Sequence, residues 1–294
     1  MTFRPSRVII PRSFDDAYLH LESAGESAAI IAGGTMLFRL RGTGLLDYID
    51  TLVDLSGLGL SYVKDGGDGG LHVGSYTLLA DIYKWLSSRP GMARAFGALA
   101  DAVTSMPGWQ IRNMVTIGGS ASISMPQSDV ATSLLALGAR VILSGPSGDR
   151  SMDLRDYMAG PLSPARKVNE FVRELFIGSS EGGSAHEKFV VSDIDHPVAS
   201  ASVTLALAED GAIRSARLAL GGGLRRNVVL DSPRELVGRM PEPGTLEEVY
   251  SLARDSVDPL EDHVATAEYR RHLAGVMARR SVLRAYARAG GSAR

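Results

Sequence analysis

Apolar positions along this chain change period several times. Phe14, Ala17, Tyr18 and Leu21 recur at helical spacing behind Ser13, a residue suited to capping, and Gly25 stands where such a helix would end. The run "AAIIAGGT" then predicts a short buried strand over 28–32 that delivers Gly33 and Gly34. Two more short strands are expected in "TLVDLSGL" and "GLHVGS", with the glycine-rich "KDGGDGG" as a hairpin connection between them. Thr77 is placed to cap the helix "LLADIYKWLSS", Pro90 to end it, and "MARAFGALADAV" to form the next one. Ser128 or Asp129 caps "VATSLLALG", which runs into the strand "ARVILSG" and the turn "GPSGDR".

This mixed pattern continues to about Ile177, where "GSSEGGSA" reads as a linker by composition. Beyond it, "VASASVTLALAEDGAIRSARLALGGG" carries two period-2 runs around Asp210-Gly211, a hairpin signal whose core face comprises Val203, Leu205, Leu207, Ile213 and Leu218. The tail is helical, with Tyr269, Leu273, Val276, Met277, Arg280 and Leu283 on one stripe and Arg280 at its edge. The expected organisation is a first domain over 1–177, with subdomains of about 1–56 and 57–177, a linker over 178–185, and a second domain over 186–294.

Composition narrows the chemistry. The formal net charge is −2, so no overall field favours nucleic acid or an anionic membrane. Cysteine is absent, which excludes disulfides, thiolate zinc sites and a protein-ligated iron–sulfur cluster on this chain. Redox chemistry here would therefore need an organic cofactor. The opening "MTFRPSRVIIPRSFDD" has too short an apolar run for a signal segment, and no stretch approaches the roughly 18 apolar residues of a membrane span, so a cytoplasmic protein is expected.

Two loops invite a ligand. "AGGT" at 32–35 and "TIGG" at 116–119 each end a β-type run, and glycine lets a ligand approach successive backbone N–H groups that form a concave, phosphate-binding nest. Neither fits the dinucleotide or P-loop fingerprints, and either taken singly is better explained by a tight turn than by a ligand site. His72, His186, His196, His263 and His272 form no metal-ligand grouping and read as solvated or core residues. Arg270, Arg271, Arg279, Arg280 and Arg284 read as a solvated or subunit-facing helix surface. Tyr76, Tyr83, Trp85 and Trp109 are assigned to packing, with Trp109, next to "QIRN", the one aromatic worth testing as a ligand contact.

Taken together and in order, "IIAGGTML", "LVDLSGL", "QIRNMVTIGGSASISMPQSD" and "LLALGARVILSGPSGDR" resemble the FAD-binding medium subunit of the molybdenum hydroxylases, the xanthine dehydrogenase and carbon monoxide dehydrogenase family. "NEFVRELFIG", "HEKF", "HPVASASVTLAL" and "ATAEYRRHLAGVMARRSVLRA" resemble that family's second half. The resemblance implies an α+β (mixed α/β) chain: an FAD-binding domain of the vanillyl-alcohol-oxidase (PCMH) type with two subdomains, then an α+β C-terminal domain of the CO dehydrogenase flavoprotein type. It implies that Ile30, Ile31, Ala32, Gly33, Gly34, Thr35, Met36 and Leu37, with Thr116, Ile117, Gly118, Gly119 and Ser120, hold the FAD pyrophosphate through backbone N–H groups, and that Thr35 and Thr116 add hydroxyls. Asp129 matches the position that hydrogen-bonds the cofactor, and Met106, Val172 and Lys188 match further FAD-contacting positions. Three segments depart from the family pattern: Ser120 replaces the usual Asn, Met36 the usual Asp or Ser, and "GGGLRRN" the usual V-A-P-T-P.

By the same resemblance the chain is an oxidoreductase subunit with no catalytic or metal-ligating side chain of its own. The molybdenum cofactor sits on a large partner and two [2Fe–2S] clusters on a small one, in a heterotrimer or a dimer of heterotrimers. FAD passes electrons to a terminal acceptor, and neither that acceptor nor the hydroxylated substrate is legible in this chain. A self-sufficient FAD-dependent oxidoreductase of the same fold, and a scaffold that has lost FAD, are the alternatives.

Overall fold

The structure, a computed structural model, describes residues 3–67, 70–178, 181–192 and 196–291. Ser13 caps the first helix as expected, its Oγ accepting from the Asp16 N–H at 3.1 Å, and Gly25 closes it at a φ of 57°. β1 (Arg7–Ile9), α1 (Phe14–Ala24), β2 (Ala28–Ile31), α2 (Thr35–Leu40) and β3 (Thr51–Asp54) build a parallel three-stranded sheet in the order β1-β3-β2. Adjacent residues of the central strand serve opposite faces: Val53 packs with Ala17, Tyr18 and Leu21 of α1, and Leu52 with Leu46 and Ile49.

The chain next forms β4 (Val63–Asp65), β5 (Leu71–Gly74), α3 (Leu79–Ser87), α4 (Pro90–Ala95), α5 (Gly97–Thr104), α6 (Trp109–Arg112), α7 (Ile117–Ser122), α8 (Asp129–Ala136), β6 (Arg140–Gly145), β7 (Gly148–Asp153), α9 (Leu154–Tyr157) and β8 (Phe171–Ile177). Its five strands pair antiparallel in the order β4-β5-β8-β6-β7. Leu79, Ile82, Leu99, Ile117 and Leu134 of the helices bury against Val141 and Leu175 of this sheet. Phe171 reaches back into the first unit, between Phe14 and Tyr18, with ring centroids at 5.5 and 5.6 Å. Its full burial is worth roughly 1.5–3 kcal/mol and fastens the two sheets to each other.

β9 (Gly183–Phe189), β10 (Ala199–Leu207), β11 (Ile213–Gly222) and β12 (Val228–Asp231) follow as an antiparallel meander, backed by α10 (Pro243–Ser256) and α11 (Ala267–Arg288). The hairpin at Asp210-Gly211 and its core residues Val203, Leu205, Ile213 and Leu218 are where the alternation puts them, with Leu207 half-buried. The other face of this sheet is covered as well. Ser184, His186 and Lys188 of β9, and Ser202 of β10, turn towards α5 and α8, while Gly183, Ala185 and Glu187 turn towards α11.

Several local expectations give way to packing. Thr77 does not cap α3; its Oγ1 accepts from the Tyr62 N–H at 2.9 Å and donates to the Tyr62 carbonyl at 2.8 Å, so Leu78 stands at the cap without a side-chain bond. Pro90 opens α4, where its missing N–H removes nothing, and the expected single helix breaks at Phe96 into α4 and α5. In "GSSEGGSA", Ser179 and Ser180 lie outside the described residues, but Gly183, Ser184 and Ala185 are buried strand residues, not linker. Their small size is a packing requirement, since a Cβ on Gly183 would collide with the Ala285 carbonyl of α11. The buried stripe of α11 keeps Leu273 and Met277 of the expected one, with Arg280 exposed beyond its edge, but is broader and shifted, adding Arg270, Ala274, Ala278, Ser281, Val282 and Ala285 and leaving Tyr269 exposed. Small residues win this face because the helix lies close against β9 and β10. No described helix is long and apolar enough to cross a membrane.

Because that collision is with the backbone of α11 rather than with a side chain that could turn away, Gly183→Ala is expected to lower stability by about 1–3 kcal/mol, read as a shift of the urea unfolding midpoint of the full chain.

Candidate functional site

The first glycine segment leaves β2, turns at Gly34 with a φ of 65°, and enters α2 at Thr35. An L side chain resists that left-handed conformation, and Gly33 is constrained differently: a Cβ there would collide with the carbonyl oxygen of Met114. The N–H groups of residues 33–37 find no acceptor among the described residues, and the segment is half-buried. Five consecutive donors at the start of a helix, with little side-chain bulk over the two glycines, make a concave anion cradle. Ile30 and Ile31 support it by packing into the two cores of the parallel sheet, and Leu37 anchors α2 beside Ile31.

The second segment is differently made. It is not a loop after a strand: Thr116 makes one isolated bridge to Leu78, and Gly118 and Gly119 lie in the first turn of α7. The Ile117 N–H goes to the Thr77 carbonyl at 3.1 Å, Gly118 to the Ser75 carbonyl at 2.9 Å, Gly119 to Thr116 Oγ1 at 3.2 Å and Ser120 to the Thr116 carbonyl at 3.0 Å. Gly118 is glycine because a Cβ would press on the Ser75 backbone, while Gly119 is exposed. The Ser120 hydroxyl is buried and donates to the Thr116 carbonyl at 3.0 Å. This segment thus offers a bare backbone face rather than a row of free donors, and it meets the first segment where Gly33 abuts residues 114–115.

Asp129, the first residue of α8, is 7% exposed. Its Oδ2 accepts from Lys188 Nζ at 2.9 Å and its Oδ1 lies 3.2 Å from His186 Nε2. Burial pushes the carboxyl up, but the hydrogen bond and charge of His186, with those of Lys188, outweigh it and hold Asp129 below the ordinary carboxylate value. His186 Nδ1 is 2.8 Å from Ser202 Oγ. Two expected site residues, Asp129 and Lys188, are thereby brought together, and His186, read from sequence as solvated or core, is a core residue that joins them. The period-2 spacing of Ser184, His186 and Lys188 is the sequence signal that could have marked this polar face.

Met106 and Val172 belong to the apolar core of the five-stranded sheet unit; the Met106 carbonyl also accepts from Arg112 Nη2 at 2.7 Å. Tyr76 donates to Asp54 Oδ1 at 2.9 Å, and burial and that bond push its hydroxyl up to about 12. Tyr83 and Trp85 pack on the core, whereas Trp109 is 58% exposed, with Arg112 5.2 Å from its ring centre. Among the described residues no group of His, Asp and Glu has a metal-binding arrangement. Arg270 is not a surface residue: it is 3% exposed, bonded to Asp262 at 2.6 Å, and fills the space where Gly223 would carry a Cβ. The unusual "GGGLRRN" is thus glycine-rich to pass over Arg270, and Gly222 also bonds the Pro126 carbonyl at 2.7 Å.

Residues 2–179 match the model of the FAD binding domain in molybdopterin dehydrogenase, and residues 184–285 that of the CO dehydrogenase flavoprotein C-terminal domain. The chain belongs to this family. It is 30% identical over 286 residues to the carbon monoxide dehydrogenase medium chain of Afipia carboxidovorans, covering 95% of this chain and 96% of that one. The glyceraldehyde dehydrogenase medium chain of Sulfolobus acidocaldarius is 28% identical over 273 residues, covering 90% of this chain and 92% of that one. The fold of this chain is similar to that of a chain in reconstituted CO dehydrogenase from Oligotropha carboxidovorans, with a TM-score of 0.89 at 30% identity, covering 98% of this chain and 100% of that one. The family resemblance, the fold class, the oxidoreductase class and FAD as cofactor therefore stand as the sequence implied them.

A carboxylate held below its ordinary value stabilises the fold above that value and loses the contribution as pH falls through the depressed one. Asp129→Asn is expected to cost about 3 kcal/mol at pH 7, by leaving Lys188 and His186 without their carboxylate partner, and progressively less as pH falls below about 4. Urea unfolding of both proteins across that range measures the convergence.

Proposed function

We propose that this chain is the FAD-binding electron-transfer subunit of a heteromeric molybdenum hydroxylase, standing between [2Fe–2S] clusters on a small partner and a terminal acceptor. The molybdenum cofactor is assigned to a large partner, in line with the medium-chain and subunit names of the relatives. The observation that carries the reading is the cradle at residues 33–37, where N–H groups without an acceptor among the described residues, a left-handed glycine and a helix start coincide in a family defined by FAD binding.

The residues fit the cofactor. The N–H groups of residues 33–37 would take the pyrophosphate, with the Thr35 hydroxyl as a further donor, and Ile30, Ile31 and Ala32 set the strand end that delivers them. Residues 116–120 would line the opposite side with backbone stripped of side-chain bulk at Gly118 and Gly119. Asp129 and Lys188 would supply an acceptor and two remaining ammonium donors, and Met106 and Val172 an apolar wall. When bound, FAD supplies a redox couple that accepts electrons singly and releases them in pairs. The protein's part is to bind, orient and exclude water. Absence of cysteine agrees with metal centres housed on partner chains, and a cytoplasmic setting is proposed with them.

Gly33→Ala is expected to weaken FAD binding by at least about tenfold, since the new Cβ meets the Met114 carbonyl and displaces the cradle; flavin absorbance per mole of purified chain measures it. Isolation of the chain from its native source, with flavin spectrum and metal content recorded together, tests the assignment. Co-purification with a larger molybdenum-containing and a smaller iron-containing chain is expected. A lone yellow protein with turnover of its own would replace the reading with a self-sufficient flavoenzyme, and a colourless one with a scaffold.

A further inference from the structure

We infer that His186 is a positioning residue for the cofactor site: it fixes the orientation of the Asp129 carboxylate and so keeps Asp129 and Lys188 presented as two separate polar groups. The inference rests on the FAD reading above. His186 has almost no exposed surface and is held at three points. Its backbone N–H donates to Asp101 Oδ2 at 3.1 Å, its Nδ1 meets Ser202 Oγ at 2.8 Å on the neighbouring strand, and its Nε2 meets Asp129 Oδ1 at 3.2 Å. Asp101 is itself fixed by α11, through Arg288 at 2.6 and 2.8 Å and Arg284 at 3.0 Å.

The proton arithmetic supports a fixed role. Asp129 is ionised and accepts only, so Nε2 must carry the hydrogen of that bond. Nδ1 then either accepts the Ser202 O–H, in the neutral ring, or donates to the Ser202 oxygen, in the cation, because a hydroxyl rotates to serve either. The bond to Asp129 survives in both states. Its effect is to reserve Oδ1 for His186 and Oδ2 for Lys188. Were His186 removed, the carboxylate would be free to turn both oxygens onto the ammonium. That would withdraw from a ligand both the remaining acceptor capacity of Asp129 and the remaining donors of Lys188. Ser202, whose hydroxyl has its one bond among the described residues to His186, sets the ring from behind.

The full chain, freed of FAD and titrated with FAD while flavin fluorescence is followed, reads the effect; circular dichroism melting checks the fold. His186→Leu is expected to raise Kd by about tenfold, as for loss of one charge-assisted contact, and His186→Gln, which keeps a donor near Nε2, to stay within about threefold. Ser202→Ala is expected to lie between them. A folded His186→Leu protein that binds FAD as wild type does would overturn the inference. If that variant does not fold, Ser202→Ala decides: a weaker Kd supports the role and an unchanged one removes it. Failure of the FAD reading looks different, because wild type would then take up no FAD and Gly33→Ala would change nothing; with it the inference falls as well.

Discussion

A carboxylate buried at the start of a helix must be met by donors, and here they come from a strand more than fifty residues away in the chain. Asp129 begins α8, and β9 supplies His186 and Lys188 to its two oxygens. Neither side of this contact is stable alone: an unpaired buried carboxylate costs several kcal/mol, and so does an unpaired buried ammonium. The C-terminal sheet therefore has to lie with its second face on α5 and α8. The Asp101 clamp, with Arg284 and Arg288 reaching from α11, reinforces the same placement from the far side of that sheet.

Given that placement, the small residues of the second half acquire a single explanation. Gly183 and Ala285 let α11 approach β9, Gly221 lets the end of β11 pass beneath Pro126, Gly222 lets it pass the Ala199 backbone of β10, and Gly223 admits the buried Arg270 guanidinium. The "GGGLRRN" segment is thus a steric solution to local crossing. At the other end of the site the constraint is the same in kind. Gly33 touches backbone at Met114, so the free donors of residues 33–37 are held against the start of α7 without an intervening side chain.

The glycine pairs drew attention in the sequence as equals, and the structure separates them. One is a cradle of N–H groups unpaired among the described residues; the other has the N–H groups of residues 117–120 satisfied and contributes shape. Local pattern cannot make that distinction, because whether an N–H is free depends on what stands opposite it. For residues 117 and 118 that is the backbone of Thr77 and Ser75, some forty residues earlier. His186 stands in the family-like "HEKF" beside Lys188, but its partners Asp129, Ser202 and Asp101 meet it only because three elements converge.

By itself the sequence determined the element types wherever period and capping agreed, as at Ser13, Ser128 and the Asp210-Gly211 hairpin, since these depend on neighbours within one turn or one strand pair. Ordered motifs in "IIAGGTML" and "QIRNMVTIGG" also carried the family and, with it, the cofactor. Tertiary structure decided the rest: which face of α11 is buried, that "GGSA" is strand and not linker, and which donors remain available. Alternation along β9 and β10 marks two faces but not what covers each. That depends on the charge at Asp129 and the close backbone approaches, which exist only once distant segments are packed together.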